Sequence, residues 1–98
     1  MDLRMHVISR KTLKDFWTIH PEAENPLRSW FQLIRQGQYE SFVDLKRVFG
    51  SVDWVGGQCV FNIGGNKYRL IAVFHFNQNR AYVRHVLTHS EYDRGDWK

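Results

Sequence analysis

Several residue types and patterns are scarce in this 98-residue sequence, and each absence narrows the possibilities. A lone cysteine, Cys59, excludes an intramolecular disulfide and any cysteine-based zinc site, and it favours a reducing compartment. No apolar run approaches the roughly 18 residues of a membrane-spanning helix, and the first residues lack the apolar stretch of a secretory signal. We therefore expect a cytoplasmic chain that has no membrane partner.

Acidic residues are missing from the whole stretch between Trp54 and Ser90. The same stretch contains four fixed cations: Lys67, Arg69, Arg80 and Arg84. Cations without neighbouring counter-charges create a positive potential that attracts phosphate backbones. Together with a net charge of +4 and an aromatic content of 15%, this distribution predicts a nucleic-acid partner.

The length and the apolar content predict a single folded domain spanning residues 1–98. Apolar residues make up 43% of the chain, which is enough for one compact core but leaves no room for a second. There are no repeats, low-complexity tracts or linkers that would divide the chain.

The N-terminal half begins with the pattern of a short strand followed by a helix. Residues 5–8 favour a strand, and Ser9 is a candidate N-cap for a helix over about residues 10–20. Apolar residues at i, i+3 and i+4 give that helix one buried face. Pro21 is expected to end it.

Two further helices are indicated before the chain changes character. Asn25 as N-cap and Pro26 as first helical residue predict a helix that ends near Gly37. Ser41 is a candidate N-cap for a short third helix.

The C-terminal half has the pattern of three strands joined by polar turns. The predicted strands are Cys59–Ile63, Tyr68–Phe76 and Ala81–Thr88. Short turns make such strands an antiparallel meander. The predicted fold class is α+β, a small antiparallel sheet packed by two N-terminal helices in the order β-α-α-β-β-β.

Strict alternation assigns the residues of these strands to the two faces of the sheet. On the last strand, one face is expected to carry Ala81, Val83, His85 and Leu87, and the other Tyr82, Arg84 and Val86. The helices should cover the more apolar face. The uncovered face would then present Arg69 and Arg84 among aromatic rings, which is typical of surfaces that hold single-stranded RNA.

Side chains suited to RNA cleavage follow the last strand. Arg84 and His85 lie in the strand near its end, and the residues beyond it are His89, Tyr92, Asp93, Arg94 and Lys98. Metal-independent cleavage of RNA needs groups that move protons and cations that stabilise the charged phosphate. His and Tyr serve the first purpose and Arg and Lys the second, while an acid can orient a neighbouring His.

Other interpretations of the same residues stay open. Tyr92 can pack the C-terminal tail against the core, Asp93 can cap a turn, and His75 and His85 are expected to be structural. His85 and His89, four residues apart on a strand, would lie roughly 13 Å apart, too far to share a metal. The sequence therefore predicts neither a metal nor a cofactor.

Segments spread over nearly the whole chain resemble the HigB toxins of bacterial type II toxin–antitoxin systems. The N-terminal half contributes Ile8, Lys11–Asp15 and Leu45–Phe49, and the C-terminal half contributes Val60–Asn66, Tyr68–Leu70, Tyr82–Arg84 and Thr88–Asp93. The most specific part is the segment VRHVLTHSEYD. The resemblance implies a RelE-like fold and an mRNA interferase, an endoribonuclease that cleaves translated mRNA on the ribosome. It also implies a HigA-type antitoxin, which is a helix-turn-helix protein. The toxin would then associate with operator DNA only indirectly, as part of the complex with this antitoxin.

Carried across by position, the motif residues are Arg69, Arg84, His89, Tyr92 and Asp93. His89 is the first candidate for proton transfer and Tyr92 the second, with Asp93 orienting and Arg84 stabilising the transition state. Phosphate or RNA contacts are expected from a wider set of cations: Lys67, Arg69, Arg80, Arg94 and Lys98. The alternatives are a non-catalytic RNA-binding module, a gyrase-poisoning toxin of the ParE type, or an interaction protein that uses its sheet edge.

Overall fold

The computed structural model describes residues 4–98, an α+β fold built on one sheet. The elements are β1 (His6–Ile8), α1 (Arg10–Ile19), α2 (Glu24–Gln36), α3 (Phe42–Val48), β2 (Asp53–Val55), β3 (Gln58–Ile63), β4 (Tyr68–His75), β5 (Arg80–Thr88) and α4 (His89–Arg94). The sheet order is β1-β5-β4-β3-β2, with β1 parallel to β5 and the remaining pairs antiparallel. The predicted fold class is confirmed, with one parallel pair at the edge. Among the described residues, no helix combines the length and the apolar character that crossing a membrane requires.

The main core lies between the helices and one face of the sheet. Each helix buries the apolar stripe that its sequence spacing indicates, with Leu13 and Trp17 on α1 and Leu27, Trp30 and Ile34 on α2. From the sheet, Phe61 meets the Trp30 ring edge-on at a centroid distance of 5.4 Å. Cys59 is fully buried there, and burial raises the pKa of its thiol to about 12. The thiol is therefore protonated at neutral pH, as expected for an ordinary core cysteine.

The start of α2 differs from the prediction. Asn25 is not the N-cap, because a 3₁₀ turn at Pro21–Ala23 leads directly into the helix and Ala23 occupies the N-cap position. Pro26 is then the third helical residue, where its missing N–H would have had no partner within the helix. Gly37 does end the helix, as predicted.

A β-bulge in β5 makes the predicted alternation wrong beyond Val83. Ala72 pairs with Val83 but Ile71 pairs with His85, so Arg84 is the extra residue on β5. The insertion shifts the side-chain period by one residue. The side chains of His85 and Leu87 consequently lie on the face opposite Ala81 and Val83, while Val86 packs against the main core.

Two elements that the sequence pattern did not predict are β2 and α4. The helix α4 and the residues after it return over the second face of the sheet, which was expected to be uncovered. Buried Val60, Ile71 and Trp97 form a small cluster there, with partly buried Val55, Leu87 and Tyr92 around it. We call these six residues the outer cluster. The second face is therefore partly covered, and its accessible functional groups lie around α4.

Candidate functional site: the α4 corner

The helix α4 begins where β5 ends, and a capping box fixes its direction. The Glu91 N–H donates to Thr88 Oγ1 at 3.2 Å, and the Thr88 N–H donates back to Glu91 Oε1 at 2.9 Å. That bond from the Thr88 N–H lowers the pKa of the Glu91 carboxyl, and the nearby charges of Arg94 and His20 lower it further. Glu91 is thus a structural carboxylate that starts the helix.

The first residue of α4, His89, is presented to solvent beside an acid. Its backbone N–H donates to the Lys67 carbonyl oxygen at 3.0 Å, which ties α4 to the turn before β4. One helical turn later, Asp93 Oδ2 lies 3.5 Å from His89 Nδ1, and the two side chains are 61% and 51% exposed. A carboxylate at this distance can accept a hydrogen bond from the ring nitrogen and so favours one ring orientation. The pair therefore has the geometry of an accessible proton-transfer group with an orienting acid.

Tyr92 lies on the other side of α4, packed against the sheet. Its ring stacks on Trp97 at a centroid distance of 5.1 Å and an interplanar angle of 14°, and Trp97 Nε1 donates to the Tyr92 carbonyl at 3.0 Å. Tyr92 therefore does pack the C-terminal tail against the sheet. Whether its hydroxyl also moves a proton stays a prediction.

Arg69 on β4 is held beneath Tyr92 rather than extended into solvent. Its guanidinium carbon is 5.4 Å from the Tyr92 ring centroid, and Nη1 donates to the carbonyl oxygens of Asn66 at 3.2 Å and Tyr68 at 3.1 Å. The residue is only 9% exposed. The predicted display of Arg69 on an open surface is therefore wrong, because α4 covers it. Its charge nevertheless lies directly under the helix that presents His89.

Other predicted cations surround the same helix. Lys67 Nζ is 3.5 Å from a Glu22 carboxylate oxygen, Arg94 Nε is 3.8 Å from Asp96, and Lys98 Nζ is 5.8 Å from the Trp97 ring centroid. The two ion pairs are at the surface, where such pairs exchange readily for water or for a ligand, and the Lys98 side chain is exposed as well. We define the α4 corner as Lys67, Arg69, His89, Tyr92, Asp93, Arg94 and Lys98.

Arg80 and Arg84 lie away from this corner. Arg84 rests over the Tyr82 ring at 5.9 Å, and Arg80 Nη1 donates to the Tyr82 hydroxyl at 3.4 Å. Arg84 precedes His89 by five residues of strand, about 16 Å at roughly 3.3 Å per residue, and Arg80 is farther still. The structure thus groups seven of the nine predicted site residues and separates these two. Their predicted roles stay predictions.

Two neighbours of the corner had no role in the sequence interpretation. His20 at the end of α1 stacks on Phe16 at 4.5 Å and lies 5.8 Å from the Tyr68 ring. Its influence on the Glu91 carboxyl places it beside α4, a proximity that no local pattern could have indicated. Trp97 is the second, and it lines a 210 Å³ pocket with His85, Glu91 and Arg94.

Comparison with known proteins identifies relatives along almost the entire chain. The mRNA interferase toxin HigB of Escherichia coli K12 and the mRNA interferase HigB of Shigella flexneri are each 37% identical over 92 residues, which cover 91% of this chain and 88% of theirs. The mRNA interferase HigB of Escherichia coli O6:H1 is 27% identical over 93 residues, which cover 92% of this chain and 90% of its own. A family model described as the RelE-like toxic component of a toxin-antitoxin system matches residues 23–95, which include every residue of the α4 corner except Lys98. The chain belongs to this family, the HigB toxins.

Proposed function

We propose that the chain is a cytoplasmic endoribonuclease, an mRNA interferase that acts on translated mRNA at the ribosome and is neutralised by a HigA-type helix-turn-helix antitoxin. The observation that carries the proposal is the exposed His89–Asp93 pair, 3.5 Å apart, among cations at the α4 corner. The names of the relatives support RNA cleavage over the gyrase-poisoning alternative. Residues 1–98 would form the single toxin domain, which meets operator DNA only through the antitoxin.

The proposed reaction is attack of a ribose 2′-hydroxyl on the adjacent phosphorus without a metal. The 2′-oxygen forms a bond to phosphorus and gives up its proton, the bond to the 5′-oxygen breaks, and that oxygen receives a proton. The products are a 2′,3′-cyclic phosphate and a 5′-hydroxyl. An accessible imidazole, which can both accept and donate a proton, suits one of these proton transfers.

We assign a role to each residue of the α4 corner from its position. His89 is accessible to a substrate and moves a proton, while Asp93 orients its ring. Tyr92 is the second candidate for proton transfer. Lys67, Arg94 and Lys98 contact phosphate oxygens, and Arg69 contributes positive potential from beneath α4. At this distance from His89, Arg84 and Arg80 would bind neighbouring phosphates of an RNA that extends along β5, and the predicted contact of Arg84 with the transition state would require the strand end to move.

His89→Ala should abolish growth arrest and RNA cleavage while leaving the fold intact. Loss of a general acid or base commonly reduces rate by about 10²–10⁴-fold. His75→Ala is the matched control, because His75 is an exposed histidine on β4 whose ring packs edge-on against Tyr82 at 5.1 Å, at the end of the strand away from α4. The measurements are growth after induction and recovery of cleaved transcripts from the induced cells.

Undiminished cleavage by His89→Ala would contradict the role of His89. Growth arrest by the unaltered chain without any cleaved transcript would instead contradict the endoribonuclease proposal. Both variants should unfold at the same urea midpoint as the unaltered chain, because neither substitution removes a buried group.

A further inference from the structure

A second basic surface lies at the end of the sheet away from the α4 corner. One pocket of about 470 Å³ lies between α1 and α2, and another of about 480 Å³ runs along β1. The two share Arg4, Phe31 and Arg35 in their walls and therefore form one continuous depression. Its arginines are Arg4, Arg10, Arg28, Arg35 and Arg80, and we call it the arginine groove.

The charges of the arginine groove are of one sign. Within residues 4–98, no Asp or Glu lines either pocket. Glu24, which lies outside the walls, partly compensates Arg28 at 2.8 Å, whereas Arg10 and Arg35 form no ion pair with another described residue. Converging cations repel one another, and a bound anion removes that repulsion. The groove therefore favours an anionic ligand.

The aromatic rings of the groove are already covered by guanidinium groups. Arg10 lies 5.3 Å from the centroid of the Phe31 ring, and Arg28 lies 4.7 Å from that of Trp17. Trp17 itself is only 8% exposed. Single-stranded RNA is held largely by stacking its bases on free aromatic faces, and these faces are occupied. The planar guanidinium forks instead match carboxylates, which they bind through paired hydrogen bonds.

The backbone beside the groove is suited to an extended polypeptide. Within the part of the chain that the structure describes, β1 is an edge strand and pairs with β5 alone. The His6 N–H donates inward to the Asn79 carbonyl at 2.8 Å, so alternation turns the backbone groups of Val7 toward the open edge. Ile8 beside it is 40% exposed. An added strand could pair with this edge while its acidic side chains reach the arginines.

We propose that the arginine groove binds an acidic, extended segment of the antitoxin. Three features favour a polypeptide over RNA. The guanidinium groups match carboxylates, the aromatic faces are already covered, and the edge of β1 is free to pair with an added strand. The proposal rests on the proposed function only for the identity of the partner, because the acidic and extended character of the ligand is inferred from the groove alone.

The direct test compares a labelled oligoglutamate peptide with a labelled oligouridylate of equal length, each titrated by fluorescence anisotropy. The groove variant is Arg10→Glu with Arg35→Glu, and the control is Lys14→Glu with Arg47→Glu, which makes the same change of charge at exposed helical positions outside the groove. We expect oligoglutamate binding to weaken at least tenfold in the groove variant and less than threefold in the control. Oligouridylate binding should change equally in the two.

Equal loss of oligoglutamate binding in both variants, or no binding by the unaltered chain, would overturn the proposal. A selective loss of oligouridylate in the groove variant would assign the groove to RNA. Arg10 also covers the Phe31 ring, so its substitution removes an aromatic contact as well as a charge. A second comparison therefore uses two single variants, with Arg35→Glu as the groove variant and Lys14→Glu as its control.

The antitoxin itself provides the second measurement. At least tenfold more antitoxin should be needed to bind or neutralise the groove variant than the control, while both variants cleave RNA as the unaltered chain does. Neutralisation at the same antitoxin concentration would refute the assignment to the antitoxin. If the unaltered chain does not cleave RNA, the proposed function fails, but antitoxin and peptide binding still decide the role of the groove.

Discussion

Arg69 illustrates how a residue of a functional motif can be structural at the same time. Its positive charge suits phosphate binding, yet its guanidinium is buried, donates to two backbone carbonyls and lies against the Tyr92 ring. A charge in this position needs all of those contacts, because a buried cation without hydrogen bonds is costly. Arg84, by contrast, is exposed, and its guanidinium lies over the Tyr82 ring at 5.9 Å from the centroid.

Arg69→Lys should therefore destabilise the fold while Arg84→Lys should not. Lysine keeps the charge but loses the planar fork that bonds Asn66 and Tyr68 and stacks on Tyr92. We expect a loss of about 1–3 kcal/mol in the free energy of unfolding for Arg69→Lys, as for other broken buried hydrogen bonds. Arg84→Lys should stay within about 0.5 kcal/mol. Urea unfolding measures both, and equal values would show that Arg69 is not structural.

At the scale of elements, the helices differ in how far sequence rules describe their ends. Ser9 and Ser41 occupy the predicted N-cap positions of α1 and α3, but neither side chain forms a capping hydrogen bond. Thr88 and Glu91 form a complete capping box at α4, a helix that the strand pattern before it obscured. The T-x-x-E spacing was visible in the sequence and would have predicted α4. Without α4, the strand pattern alone predicts that His89 lies in a loop.

Thr88→Ala should destabilise the chain more than Ser9→Ala or Ser41→Ala. Only Thr88 accepts a hydrogen bond from the backbone of its helix, at 3.2 Å from the Glu91 nitrogen. Loss of such a cap costs about 1 kcal/mol, whereas removing an unbonded serine hydroxyl should cost a few tenths at most. Because α4 positions His89, Thr88→Ala should also lower cleavage. Equal unfolding midpoints in urea for the three variants would contradict this account.

For the whole molecule, sequence patterns predicted what depends on local spacing and missed what depends on pairing between strands. The buried stripes of α1 and α2 and the three C-terminal strands follow from periods of 3.6 and 2. The bulge at Arg84 does not, because it reflects the register between β4 and β5. The bulge places the side chains of His85 and Leu87 on the face of the sheet opposite to the predicted one, where Leu87 joins the outer cluster. Tyr92, His89 and Asp93 were predicted as a group from their closeness in sequence, whereas the burial of Arg69 beneath them required the fold.

The two faces of the sheet should differ in stability, and the functional face should be the weaker. The main core joins α1, α2 and α3 to the sheet, while the outer cluster has only three buried residues, Val60, Ile71 and Trp97, among those described. We expect amides of α4 to exchange with deuterium through local opening, well before those of β4.

Trp97→Ala should accelerate exchange in α4 and abolish cleavage, because the Tyr92 ring loses its stacking partner. Trp54→Ala is the control, since Trp54 is 54% exposed and packs edge-on against Phe42 away from α4. Exchange in α4 as slow as in β4, or unchanged by Trp97→Ala, would mean that the outer cluster does not hold the α4 corner in place.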